Sequence, residues 1–537
     1  MNRTSQLEQL RQDQLFDLLV IGGGATGCGV ALDAASRGLR VALVEQNDFA
    51  EGTSSRSTKL LHGGVRYLEL AIKNLDRVQY NLVRDGLRER GLLLKNAPHL
   101  AHRLPLVTPL YSWWQIPYIF AGLKLYDLLA GKAGIGHSRL LSRKQALARF
   151  PMLKAQGLKA GVLYYDGQFN DARTALALAM TAAEQGATVV SHVEVRGLRK
   201  QNGQLCGAEL LDRLSGAGWS IRARGVINAT GPFADRLRKL DDPEAAPLLK
   251  VSSGIHIVLD QRFAPPDTGL MIPSTEDGRV LFVLPWEGHA LVGTTDESAE
   301  VSEHPRPQPE EIAYLLRHLG KYFDIRVNAA DVKAVWSGLR PLVLAADTGN
   351  TARLARDHFL QASPSGLLTI TGGKWTTYRE MAEDAVDLAV DHFALSPRRN
   401  CQTAAIVLAG GANYDCAGAR ILAEGFALPP QTAAHLHCAY GDRAAAVAEL
   451  AQSSGKRLLS DGHPYLEAEV IYAARHEAVG RAIDVLARRL PLALLDCQAA
   501  LAVLPRVIEL LAPELGWEEQ RCREENKLAR QRLIEAL

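Results

Sequence analysis

Residues 16–27 read FDLLVIGGGATG, a near-continuous apolar run closed by three glycines and followed at once by a helix-like pattern. Such a run suits a central parallel strand covered on both faces. The helix pattern covers 27–37, and a second apolar run at 40–45, RVALVE, closes a strand–helix–strand unit. Gly22, Gly24 and Gly27 fit G-x-G-x-x-G in the strand-to-helix context that gives this pattern its meaning. Gly22 permits the tight turn, Gly24 lets backbone N–H groups approach a pyrophosphate, and Gly27 lets the helix lie close to the strand. Glu45, ending the second strand, is placed to accept hydrogen bonds from a ribose 2′-hydroxyl and to repel a 2′-phosphate. The start is Rossmann-type, and its fingerprint is common to NAD and FAD.

A second feature separates those two cofactors. Residues 226–231, VINATG, with Ala229 and Gly231, resemble the short strand-and-glycine element by which flavoproteins with two dinucleotide folds close over FAD. Strands are also predicted at 186–194, including Val193, and at 367–373, ending in Gly373, so the nucleotide domain is expected to be discontinuous. Residues 280–285 and 289–295 read as hairpin strands of an antiparallel sheet where a substrate domain would sit. The proline-spaced stretch 304–309 is a surface connection before a helix starting near Glu310. From about residue 398 the composition shifts to Ala, Leu, Glu and Arg with helical spacing, as at 467–490. The expected fold class is therefore α/β plus α. Residues 1–105, 156–245 and 335–395 form the FAD domain, 106–155 and 246–334 the substrate domain, and 396–537 the helical C-terminal domain.

The 537 residues exceed one ordinary core and are 47% hydrophobic and 22% charged, within the soluble globular range. A net charge of +2 leaves no overall field to recruit nucleic acid, so any anion must be bound locally. The seven cysteines are scattered and never paired as C-x-x-C, which argues against a disulfide framework, a zinc site or an iron–sulfur cluster; no metal is expected. Residues 1–14 contain no apolar signal core, and no stretch of eighteen apolar residues follows, so neither secretion nor a membrane span is expected.

The run GTSSRSTKLLHGGVRYL at 52–68 narrows the reading, because its spacing resembles the signature of FAD-dependent glycerol-3-phosphate dehydrogenases, within the D-amino-acid-oxidase-like superfamily. Further matching blocks follow in the same order: GIHIV at 254–258, PW at 285–286, GTTD at 293–296, SGLRP at 337–341, RD at 356–357 and GGKWTTYR at 372–379. The tail resembles that family's C-terminal domain around 467–481. One departure is Ser253, where some relatives carry a lysine.

The resemblance implies oxidation of sn-glycerol 3-phosphate to dihydroxyacetone phosphate with FAD as the hydride acceptor. Such chemistry needs a base near the substrate hydroxyl and cations for the phosphate dianion. The resemblance places His256 near substrate, making it the first choice as base, and His62 beside the isoalloxazine ring, making it the second. Arg66, Arg340 and Arg356 offer planar forks to phosphate oxygens, and Tyr67 adds a hydroxyl. Lys374, after a glycine pair that opens a helix, can stabilise negative charge on reduced flavin or alkoxide. Ser54, Ser55, Ser57 and Thr376 complete the expected cofactor contacts.

Residues 113–120 are dense in aromatics, with Lys124, Lys132 and Arg139 nearby, a composition that suits a membrane interface but also a core helix. The resemblance favours the membrane for segment 111–130, with a quinone as electron acceptor and the inner face of the cytoplasmic membrane as location. It leaves the oligomeric state open, a homodimer included. Rival readings are a glycerol-3-phosphate oxidase using oxygen, an amino-acid-oxidase-like flavoenzyme, and a flavin redox sensor without turnover.

Overall fold

The first apolar run forms the strand Leu15–Ile21, which pairs in parallel with Gly218–Asn228 on one side and Val41–Val44 on the other. Its side chains alternate between two cores: Leu18 and Val20 join the helix-covered one, while Leu19 and Ile21 join Val193, Leu205 and Ile221 on the opposite face. This two-sided burial is why the run is continuously apolar. The helix Ala25–Ser36 covers the first face with Asp171–Glu184 and Tyr378–His392. The computed structural model describes residues 1–64, 77–344, 358–453 and 455–535.

The first sheet runs in the order His358–Ala362, Leu367–Gly372, Gly218–Asn228, Leu15–Ile21, Val41–Val44, Thr188–Val190. Four widely separated parts of the chain therefore meet at one row of strand C-termini. The predicted strand at 186–194 is divided into Thr188–Val190 and Val193–Gln201, because His192 at φ +57° turns the chain. The second piece forms a hairpin with Gln204–Asp212, which continues antiparallel onto Gly218–Asn228.

Among the described residues the second sheet has ten strands, and it is mainly antiparallel. The predicted hairpin lies in it as Leu281–Trp286 and His289–Gly293, joined by Glu287 and Gly288, both at positive φ, as two-residue hairpin turns require. Leu249–Asp260 pairs with Val332–Val343 along nearly its whole length. Ala101–Leu110 and Ala160–Phe169 also belong to this sheet. Residues 105 and 335 therefore lie inside strands of the second sheet, and the 156–245 segment contributes one strand to that sheet and four to the first.

The tail is helical, with Pro430–Tyr440, Glu467–His476, Cys497–Leu515 and Glu519–Glu535 among its helices. The helical spacing expected through 467–490 is interrupted after His476, where Glu477 pairs with buried Arg173 and Ala478 turns at φ +52°. A short π-helical turn, Val485–Arg489, follows. No described helix is long and apolar enough to cross a membrane.

Candidate cofactor and substrate site

The glycine loop is shaped by contacts no side chain permits. Gly22 has φ +113°, and a Cβ there would lie 2.6 Å from the Ala229 carbonyl oxygen. A Cβ at Gly27 would lie 1.8 Å from the Gly22 carbonyl oxygen, which is the close helix-to-strand approach read from the motif. Gly24 caps the following helix without a side chain of its own, and the Ala25 amide donates to Ser54 Oγ at 2.9 Å. An elongated cavity opens here, lined by Gly22, Gly24, Glu45, Ser54, Val193, Ala229, Gly231, Gly373 and Lys374. Glu45 accepts from the Gly23 amide at 2.6 Å and from the Asn47 amide at 2.8 Å. Burial lifts its pKa to about 7 against those two bonds.

Lys374 starts the turn Trp375–Thr377 that leads into Tyr378–His392, the helix opening expected after the glycine pair. Trp375 Nε1 donates to the Ser54 carbonyl at 2.9 Å, tying this turn to the serine turn. Ser55, Ser57 and Thr376 stand behind the cavity wall. The Ser55 carbonyl accepts from Lys59 Nζ, Ser57 Oγ donates to Asp171 at 2.7 Å, and Thr376 is buried in its turn. An open helix N-terminus, a carboxylate and a lysine in the wall of one cavity fit a dinucleotide cofactor.

His256 lies on Leu249–Asp260 between Gly293 and Trp336 in register. Its ring stacks on Trp336 with centroids 4.2 Å apart, and Nε2 lies 2.9 Å from Thr58 Oγ1. Nδ1 is buried and has no hydrogen-bond partner among the described residues. Burial, then the charges of Lys59 and Arg340, hold its pKa well below 6.5, so the imidazole is neutral. Lys59 is only 1% exposed, bonds Asp171 at 2.6 Å and lies 4.9 Å from the Trp336 ring centroid. Arg340 is fixed by the Ser253 and Thr295 carbonyls, Thr294 Oγ1 and Asp296, at 3.0–3.1 Å.

The structure thus gathers His256, Arg340, Lys59 and Thr58 beside the Ser57–Asp171 contact, with half-buried His62 three residues beyond Lys59. Arg66, Tyr67 and Arg356 lie outside the described residues. Thr58, Trp336 and Asp171 were not singled out by sequence reasoning, and Lys59 was quoted without a role. Only a lysine inside a serine- and glycine-rich turn hinted at a buried cation. Among the described residues, one cluster, Asp48, His192 and Asp484, has metal-ligand spacing. Arg488 and Arg489 already occupy its carboxylates, so it is an ion-pair network.

A family profile described as FAD dependent oxidoreductase matches residues 17–379, and one described as the C-terminal domain of alpha-glycerophosphate oxidase matches 401–522. The mitochondrial glycerol-3-phosphate dehydrogenase of Rattus norvegicus is 47% identical over 543 aligned residues, covering 98% of this chain and 74% of its own. The chain belongs to the FAD-dependent glycerol-3-phosphate dehydrogenase family. A solved glycerol-3-phosphate dehydrogenase from Bacillus halodurans, complexed with FAD, superimposes with a TM-score of 0.81 at 30% identity, covering 99% of this chain and 97% of its own. An L-alpha-glycerophosphate oxidase from Mycoplasma pneumoniae, at 17% identity and a TM-score of 0.54, covers 72% of this chain and 97% of its own and shares the fold. As in the rest of this family, the cofactor is FAD, and the cavity between Glu45 and Lys374 has the donors to hold it.

Proposed function

We propose that this dehydrogenase oxidises sn-glycerol 3-phosphate at C2 to dihydroxyacetone phosphate and returns its electrons to a membrane quinone. FAD, when bound, supplies the hydride acceptor. The observation that carries the reading is a neutral His256, stacked on Trp336 and bonded to Thr58, under the charges of Lys59 and Arg340. With Nε2–H directed to Thr58, Nδ1 keeps its lone pair and accepts the C2 hydroxyl proton. A bound phosphate dianion offsets the field of Lys59 and Arg340, so His256 becomes a stronger base when substrate is present. Arg340, with Arg66, Tyr67 and Arg356, holds the phosphate, and His62 stands beside the flavin ring as the second candidate base. Glu45, Ser54 and the amides after Gly24 hold the dinucleotide, and Lys374 offsets charge on the reduced ring.

The acceptor is assigned from a surface. Trp113 is 69% exposed, Trp114 68% and Leu128 74%, all at or beside the Gln115–Ala130 helix, with Tyr118 also exposed. Aromatic residues next to Lys124 and Lys132 suit the headgroup level of a membrane, where a quinone is reached. Anaerobic addition of glycerol 3-phosphate to the purified yellow protein should bleach about one flavin per chain. A short-chain quinone analogue should then restore the colour faster than oxygen does. Failure to bleach removes the substrate assignment, and faster recovery with oxygen makes the protein an oxidase.

A further inference from the structure

Tyr126, Asp166 and Arg90 form a buried cluster outside the cofactor cavity, at 2%, 2% and 1% exposure. Tyr126 belongs to the Gln115–Ala130 helix, whose outer side carries Tyr118 and Leu128. The Gly63 amide donates to Tyr126 Oη at 2.8 Å, Tyr126 Oη donates to Asp166 Oδ1 at 2.8 Å, and Arg90 donates to the same oxygen at 2.8 Å. The directions follow from valence: an amide only donates and a carboxylate only accepts, so the phenol proton goes to Asp166 and its lone pair faces Gly63. Burial raises Asp166 to about 6 against the pull of Arg90 and Tyr126, and raises Tyr126 well above its ordinary value. At neutral pH the acid is therefore a carboxylate and the phenol keeps its proton.

Gly63 follows His62 directly. A Cβ at Gly63 would lie 2.6 Å from Leu87 Cγ and 3.1 Å from Tyr126 Oη, so the loop backbone rests against the Arg77–Asn96 helix and the phenol together. On the other side, Leu61 pairs with Gly167, the neighbour of Asp166. The loop is thus held from the sheet edge up to Gly63, whose amide is tied to the Tyr126 hydroxyl just before Gly64 at φ +90°.

We propose that Tyr126 is a positioning residue for the oxidation: through the Gly63 amide it fixes the backbone that places His62, linking the aromatic surface helix to the reacting end of the site. This rests on the reading that puts His62 beside the flavin ring. The phenol acts through His62, and its removal matters only while His62 is there to be misplaced. A shift of the loop by a fraction of an ångström is enough, because hydride and proton transfer depend steeply on the approach of the reacting atoms.

The test uses the full FAD-loaded chain and follows flavin reduction by glycerol 3-phosphate in stopped flow. Four forms are compared: wild type, Tyr126→Phe, His62→Ala and the double variant. Tyr164→Phe is the control, because it removes another buried hydroxyl, one bonded to Met271 Sδ at 3.1 Å. Tyr126→Phe should keep its FAD and slow reduction roughly tenfold or more, yet change the rate by less than about twofold in the His62→Ala background. Tyr164→Phe should reduce at the wild-type rate. A wild-type rate in Tyr126→Phe, an equal penalty in both backgrounds, or equal slowing by Tyr164→Phe overturns the proposal. A wild-type rate in His62→Ala sinks the placement of His62 on its own account, and any Tyr126→Phe penalty surviving there sinks the proposal too. If Tyr126→Phe does not retain FAD, amide exchange on the wild-type protein decides. The Gly63 amide should be protected like its neighbouring sheet, and exchange at open-loop rates overturns the assignment.

Discussion

In the proposed reaction, His256 as base concentrates the chemistry at the scale of one residue. Burial, then Lys59 and Arg340, depress its folded pKa, so the free enzyme's base stays deprotonated through pH values where an ordinary histidine becomes charged. The acid limb of kcat/KM should therefore lie below pH 6.5 in a profile run from about pH 5 to 8. A limb at or above the ordinary histidine range assigns the base elsewhere, with His62 next. His256→Ala should retain FAD and bind a phosphate-bearing product analogue, while flavin reduction slows about a hundredfold or more. Gly293 offers a subtler probe, because a Cβ there would lie 2.1 Å from His256 Cδ2. Gly293→Ala should push the ring off Trp336 and lower kcat with the cofactor still bound, as measured by flavin absorbance and steady-state turnover. The glycine was legible as part of a motif, but its role of making room for the histidine was not, since the two residues meet only across paired strands.

At the scale of elements, the Gln115–Ala130 helix carries both readings that its sequence left open. Leu123 and Tyr126 are buried, and Ile116, Ile119 and Phe120 pack partly against the core shared by the second sheet and the C-terminal helices. Trp113, Trp114, Tyr118 and Leu128 remain exposed, with Lys159 5.7 Å from the Trp113 ring. The surface test must therefore spare Phe120. Replacing Trp113, Trp114 and Tyr118 with serine should release the protein from membrane pellets while flavin content and dye-linked turnover stay near wild type. Retention in the pellet, with flavin intact, would remove the membrane role. The aromatic cluster was visible in the sequence. Its division into a packed and an open side was not, because the partners on the packed side come from sheet strands far away in the chain.

Across the whole molecule, the C-terminal helices hold the cofactor loop. Asp48 is fully buried, follows the Glu45 wall by three residues, and accepts from Arg488 and from both Nη atoms of Arg489, the longer of the latter contacts being 2.9 Å. Asp484 stays ionised despite burial, because His192, Arg488 and Arg489 hold its pKa well below the usual range. Arg489→Met should leave Asp48 buried without a full counter-charge and cost about 3–5 kcal/mol. Thermal unfolding and flavin release should both record it, and a variant that keeps its melting midpoint and its FAD would refute the clamp. Stability should also depend on pH in the acid range. Burial first, with nearby arginines adding to it, lowers His99 to about 3 and His304 to about 4 from the unfolded 6.5. His256 shifts in the same direction. At these histidines the unfolded chain binds more protons than the folded one between those values, whereas Glu45, raised from 4.5 to about 7, and Asp166, raised to about 6, offset this at higher pH. The histidine contribution is thus complete above pH 6.5 and is lost as pH falls toward 4 and then 3. Denaturant midpoints should decline below pH 4.5, where the raised carboxyls no longer offset the histidines, and a midpoint unchanged from there to about pH 3 would contradict the assignment.

The sequence by itself determined the nucleotide-binding start, the cofactor and the family, because those rest on local rules: a glycine where φ is positive or backbones touch, an apolar run where both faces of a strand are covered, and motif blocks in fixed order. Gly27 could be read in this way because its neighbour in space, Gly22, is also close in the sequence. Only the tertiary structure decided where the second sheet takes its strands, that Lys59 is buried between Asp171 and the tryptophans, and that Tyr126 and Arg489 reach the site from distant elements. Those contacts join residues tens to hundreds of positions apart, and burial and pairing are properties of the assembled surfaces, which no single segment carries.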